Sequence, residues 1–236
     1  QPEWVEDNFS ILVTEIIHDY RDIMNYYNTE RDWECGINVI CEEREEYQGP
    51  INSVAFLDMG GSLCSGAMVN NVRQDLTPYF LTAYHCTQGQ NPNIFRFYFE
   101  AEAHSCEHTS GSLGDYAYSS EEVASSIYEV ENPLFTGGDW SILLINDEIE
   151  EEWNVYYAGW DVSGNTPSTP VCIHHPSGDI KKISFDYDNA SNAGSYWDID
   201  SWNDGTTEPG SSGSPLFNEN HQVVGQLHGG YAACGN

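Results

Sequence analysis

From Cys35 onward the chain is a succession of short apolar runs: "INSVAFLDM", "AMVNN", "YFLTAYHC", "IFRFYFEAE", "DWSILLIND", "WNVYYAGWD", "PVCIHHP", "KKISFDYD", "SPLFNEN" and "QVVGQLHGG". Each is of strand length, and Gly, Asn and Ser separate them. No helical period holds across this stretch. A chain patterned in this way buries a core as an all-β sandwich or barrel. Residues 1–34 follow a different rule. Phe9, Leu12, Val13, Ile16, Ile17, Tyr20, Met24 and Tyr27 recur at three- and four-residue steps, with Asp7 or Asn8 available as a cap. That spacing predicts an amphipathic helix packed on the body as an extension. Its polar face is acidic, which anionic lipid would repel.

Charge removes whole classes of partner. Seven Lys and Arg against 38 Asp and Glu give a formal charge of -31. Nucleic acid needs a basic surface, so it is excluded. A cationic partner or substrate would be attracted, while a heavily solvated surface suited to salty or cold water accounts for the same acidity. The acidic clusters "EEREE" at 42–46 and "DEIEEE" at 147–152 read as solvated loops, without the spacing of an EF-hand. No apolar run is long enough to span a membrane, and no basic, apolar leader opens the chain. If the protein is secreted, Gln1 is expected to be a processed terminus. Asn8-Phe9-Ser10 and Asn189-Ala190-Ser191 match a glycosylation pattern that also recurs by chance.

Seven cysteines, at 35, 41, 64, 86, 106, 172 and 234, lack the short paired spacings of a structural zinc site. Disulfides formed outside the cell are the simpler account, and the odd number leaves at least one thiol unpaired.

Three positions form a chemical constellation. Ser212 lies in "GSSGSP", His85 in "LTAYHC" and Asp139 in "GGDWSILL". Nucleophilic hydrolysis needs a hydroxyl, an imidazole to take its proton, and a carboxylate to fix the tautomer of that imidazole. The chain order His, Asp, Ser is one of the known orders of this device.

"FLTAYHC" and "TEPGSSGSP", with "AGWD", "IHHP" and "GQLHGG", resemble the trypsin-like (chymotrypsin-fold) serine proteases, and most closely the bacterial lysyl endopeptidases. The resemblance runs from about Cys35 to Cys234. It implies an all-β fold of two antiparallel six-stranded β-barrels with the cleft between them. The boundaries expected are 1–34 for the extension, 35–155 for the first barrel with His85 and Asp139, and 156–236 for the second barrel, incomplete, with Ser212. It implies Ser212 as nucleophile, His85 as general base, Asp139 as orienting acid, and the backbone N–H groups of Gly210 and Ser212 as oxyanion hole. In mammalian trypsin-like enzymes an aspartate precedes the nucleophile and pairs with a newly cut N-terminus. Here that residue is Ser211, as in the lysyl endopeptidases, so no such pair is expected.

By the same resemblance the disulfides would be Cys35–Cys234, Cys41–Cys106 and Cys64–Cys86, leaving Cys172 as a buried, inert thiol. His174 and His175 are adjacent on a strand and point to opposite faces, so no metal is expected there, and the mechanism needs no cofactor. Glu208, His228 and Gly229 match the family's substrate-binding positions, with the His228 imidazole near His85. The family's pocket aspartate, last strand and closing helix would follow Asn236. A second chain from the C-terminal part of the same precursor is therefore expected to supply them, a shortened chain being the alternative.

The function implied is a secreted, extracellular bacterial serine endopeptidase acting on polypeptides after basic residues, lysine first and arginine second. Two other readings stay open: a non-catalytic protein-binding homologue, and an enzyme held inactive by residues 1–34 lying over the cleft.

Overall fold

The computed structural model of the protein describes residues 36–41, 46–107, 111–126 and 138–234. The helix expected over 1–34, the Asn8 pattern, most of the "EEREE" cluster and Cys35 lie outside the described residues.

Fifteen strands follow in order: β1 (Ile37–Asn38), β2 (Val54–Asp58), β3 (Leu63–Val69), β4 (Tyr79–Thr82), β5 (Arg96–Tyr98), β6 (Glu102–Ala103), β7 (Gly111–Ser112), β8 (Tyr116–Ser126), β9 (Trp140–Ile145), β10 (Val171–His174), β11 (Lys182–Phe185), β12 (Ser191–Asn192), β13 (Trp197–Asp198), β14 (Pro215–Phe217) and β15 (Val223–Gln226). Among the described residues two short α-helices interrupt them, α1 (Gln48–Ser53) and α2 (Tyr84–Thr87).

The first half closes into a six-stranded antiparallel barrel in the order β2-β3-β4-β9-β8-β5. Closure removes the open strand edges that a flat sheet would leave. Phe80, Phe95, Phe97, Leu57, Met68 and Leu143 fill its interior. Gly66 on β3 has no alternative there, because a Cβ would meet the Phe80 ring at 2.3 Å and the Leu81 carbonyl at 2.4 Å.

The second half is a five-stranded antiparallel sheet, β1-β11-β10-β14-β15, among the described residues. This sheet stands where an incomplete second barrel is expected for 156–236, and among the described residues it ends on β1 and β15. One of its five strands also comes from outside that range. Ile37 and Asn38 pair with Ile183 and Lys182, so this segment of 35–155 belongs to the second sheet. A buried cluster joins the halves, with Val54, Ala67 and Val69 from the barrel packed against Ile173, Ile183, Phe185 and Phe217. The run "WNVYYAGWD", expected as a strand, forms isolated bridges instead, Val69 to Ala158 and Trp160 to Val223, while Trp153, Val155 and Tyr157 pack on the barrel core.

Candidate active site

The register of β4 on β9 sets the first two groups. Thr82 pairs with Ser141, so both strands leave the barrel at the same end, β4 towards His85 and β9 back towards Asp139. α2 begins at Tyr84 and holds His85 in a single turn. The disulfide Cys64–Cys86 ties that turn to β3. Asp139 Oδ1 accepts the His85 backbone N–H at 2.8 Å, and Oδ2 lies 2.6 Å from His85 Nδ1. Asp139 is 6% exposed, whereas the His85 side chain is 40% exposed and reachable from solvent.

The third group arrives from the other half. Ser212 sits on the turn before β14, and its carbonyl accepts the Ser65 N–H from β3 at 2.9 Å. The next residue, Gly213, has φ +84°, and a Cβ there would lie 2.2 Å from Thr82 Oγ1 and 2.7 Å from Ala83 N. The serine turn is therefore pressed against the strand end that carries His85, an approach only glycine permits. Ser212 Oγ makes no hydrogen bond to His85 among the described residues. Such bonds are often long before substrate binds.

Asp139 has a second imidazole. His228 Nδ1 also lies 2.6 Å from Oδ2, and the two rings are perpendicular with centroids 5.9 Å apart. Gln226 Nε2 donates to the Asp139 carbonyl. Burial alone would raise the Asp139 pKa, but the hydrogen bonds from His85 and His228 more than offset it and leave it below the ordinary carboxylate value. One ligand atom each from His85, Asp139 and His228 lies within 4.8 Å of the others, close enough together for a divalent cation.

The turn itself is preset. The peptide plane shared by Pro209 and Gly210 is held by Ser177 N–H on the Pro209 carbonyl at 2.6 Å. The plane shared by Ser211 and Ser212 is held by Ser214 N–H on the Ser211 carbonyl at 3.0 Å. In a trans peptide the N–H points away from the carbonyl, so the Gly210 and Ser212 N–H groups face the other way. Neither has an acceptor among the described residues.

Glu208 is half-buried beside this turn. Its Oε2 accepts from Ser177 Oγ at 2.8 Å and its Oε1 from Cys234 N–H at 3.2 Å. Gly229 is exposed, with open space where a side chain would be. The disulfide Cys41–Cys106 also forms, and Cys234 is disulfide-bonded. Cys172 is a free, buried thiol, pushed up to about 12 by burial against a hydrogen bond with Ser214 that pulls the other way. Both nitrogens of His174, and Nδ1 of His175, are engaged in hydrogen bonds within the protein. The sequence singled out His228 for substrate and not for Asp139. It gave Ser65 and Gln226 no part, because only the tertiary register brings them to the turn.

A closed antiparallel barrel packed on a second antiparallel sheet, with His85 and Asp139 from one and Ser212 from the other at their junction, defines the trypsin-like, chymotrypsin-fold class of serine proteases. A family model for the lysyl endopeptidase C-terminal domain matches residues 30–236, and the chain belongs to that family. The lysyl endopeptidase of Pseudomonas aeruginosa is 26% identical over 232 residues, a match covering 85% of this chain and 46% of that protein. The chain thus spans less than half of that relative's length. Among solved structures, a Glu endopeptidase in complex with MPD shares the fold, with a TM-score of 0.50 and 18% identity over 77% of this chain and 80% of the other. An inactive form of Rv3671c from M. tuberculosis matches with a TM-score of 0.45 and 14% identity, over 78% and 80% of the two chains.

Proposed function

We propose that the protein is a secreted serine endopeptidase that cuts polypeptides on the carboxyl side of lysine. Ser212 Oγ attacks the scissile carbonyl carbon while its proton passes to His85 Nε2. The Gly210 and Ser212 N–H groups receive the oxyanion. His85 then gives the proton to the leaving amine, which leaves an acyl ester on Ser212. A water molecule, deprotonated by His85, attacks the ester and releases the acid. The observation that carries this reaction is the Asp139–His85 pair facing a turn whose two N–H groups have no acceptor among the described residues.

Lysine, rather than any basic residue, is favoured by where the protein keeps its own. Lys181 and Lys182 are the only lysines in the sequence, and they are 0% and 1% exposed. Lys181 Nζ donates to the carbonyls of Ile51 and Phe99 and pairs with Glu102 at 3.1 Å. Lys182 Nζ donates to Asn38 Oδ1 and pairs with Asp179 at 3.4 Å. Arginine is under no such restriction, since the Arg73 side chain is 75% exposed. A surface without lysine spares an enzyme that cuts after lysine, and an exposed arginine costs it nothing. Glu208 beside the turn offers a carboxylate to the substrate's basic side chain, and the exposed backbone of Gly229 offers pairing to its main chain. The disulfides agree with an oxidising, extracellular setting.

Cleavage-site profiling by mass spectrometry on a mixed peptide library, with a Ser212→Ala control, tests this. Cuts after lysine that vanish in the control are expected. Cuts that persist in the control, or no cuts at all, would favour the binding-protein reading instead.

A further inference from the structure

We propose that His174 is a positioning residue for the oxyanion turn, acting through Ser211 where related enzymes use a charged pair. This rests on the proposed function above. The two residues lie beneath the turn, 0% exposed, and take no part in the proton transfers at His85. Ser211 Oγ lies 2.8 Å from His174 Nδ1 and accepts the Glu208 N–H at 3.1 Å. On the other side of the ring, His174 Nε2 lies 3.0 Å from Ser184 Oγ, which donates to the Thr206 carbonyl at 3.0 Å.

The direction of every bond in this chain follows from its two ends. The Thr206 carbonyl only accepts, so the Ser184 hydroxyl proton is committed to it and Ser184 Oγ must accept from His174 Nε2–H. His174 Nδ1 is then a bare lone pair and takes the Ser211 hydroxyl proton. Ser211 Oγ is left to accept from Glu208 N–H, as it does. The chain is satisfied only while His174 is neutral. Burial, with Lys182 nearby, pushes its pKa down to about 3 and keeps it so.

The relay clasps both ends of the segment 206–211, through the Thr206 carbonyl and the Glu208 N–H on one side and the Ser211 side chain on the other. Gly210 lies between them with φ +97°, and a Cβ there would meet Gly178 N at 2.9 Å and His175 O at 3.0 Å. The Gly210 N–H is thereby aimed outward by neutral, buried hydrogen bonds that need no free amino terminus. No cleavage event is required to build the hole.

The test compares Ser211→Ala, Ser184→Ala and His174→Asn with the wild-type chain, using a lysyl peptide amide as substrate. A peptidyl lysine aldehyde, whose adduct places an oxyanion in the hole, and butylamine, which reports only on the side-chain pocket, serve as inhibitors. The expected result for Ser211→Ala is a kcat lower by about 10- to 100-fold, short of the loss of a hole donor itself. KM and butylamine inhibition stay within about twofold, and aldehyde affinity falls by the same factor as kcat/KM. Ser184→Ala, at the far end, is expected to move kcat and aldehyde affinity the same way by a smaller factor. If His174→Asn does not fold, the two serine variants decide. Unchanged kcat and aldehyde affinity in a Ser211→Ala protein with a lowered unfolding temperature would overturn the relay and leave a structural role only. A wild-type chain that neither cleaves the amide nor binds the aldehyde would instead overturn the reading on which the relay rests.

Discussion

One oxygen of Asp139, Oδ2, is shared between His85 Nδ1 and His228 Nδ1, each 2.6 Å away. The carboxylate is the meeting point of both halves of the molecule, since His85 follows a barrel strand and His228 follows β15. Its job in the proposed reaction is to hold the His85 Nδ1–H tautomer and to stabilise the imidazolium. Asp139→Asn keeps the shape and presents the wrong partner, so kcat is expected to fall by about 10⁴ with little change in KM. Steady-state kinetics on a lysyl amide, with a circular dichroism spectrum to confirm folding, checks this.

The pH dependence of stability has a defined sign. His174 and His175 are fully buried and their pKa values are lowered, first by burial and then by the lysines that face them, Lys182 for His174 and Lys181 with Lys182 for His175. Between the ordinary histidine value and the folded one, the unfolded chain takes up protons that the folded chain refuses. The contribution of these two histidines is therefore complete above about pH 6.5 and declines as pH falls below it, towards about 3 for His174, by on the order of 1 kcal/mol per pH unit for each group. Asp139, also lowered, adds a loss of the same sign at more acid pH. Scanning calorimetry should find the unfolding temperature falling steadily from pH 7 to pH 4. A flat profile would contradict the buried neutral histidines.

Gly213→Ala tests the contact between the halves. Its methyl group would be forced into Thr82 Oγ1, Ser65 O and Ala83 N at 2.2, 2.4 and 2.7 Å, at a φ that alanine disfavours. The turn must retreat from the His85 strand, and a displacement near 1 Å costs about 10²-fold in rate. The expected variant folds with a lower unfolding temperature and loses at least that factor in kcat.

Lysine placement gives a gain-of-function test. Arg73 lies on an exposed turn, 3.0 Å from Asp75. Arg73→Lys changes little in charge or bulk but creates a surface lysine where the wild type has none. The variant is expected to clip itself after position 73 on storage, while the wild type stays whole. Equal clipping of the wild type there would mean that arginine is also cut.

Much of this molecule is written locally. The triad strings are readable because each group needs special neighbours: "YHC" for a helical turn stapled by Cys86, "GSSGSP" for a turn with two positive-φ glycines, Gly210 and Gly213. The short apolar runs "DWSILLIND" and "KKISFDYD" are of strand length and form strands β9 and β11. What was not readable depends on pairing across long sequence separations. Ile37–Asn38 is too short to carry a period, and its place in the second sheet is decided by partners at 182 and 183. Ser65 reads as a strand residue until the fold brings it to Gly210, Ser212 and His175. His174 reads as half of a metal-like pair, and only burial against Ser211 and Ser184 gives it another use.

The most direct test of Ser212 as nucleophile is covalent. The purified protein would be treated with diisopropyl fluorophosphate and then digested and mapped by mass spectrometry. A single phosphoryl adduct on Ser212, lost in His85→Ala and in Asp139→Asn, accompanied by loss of lysyl cleavage, is the expected result. An adduct confined to another residue, or lysyl cleavage that survives full modification of Ser212, would contradict it.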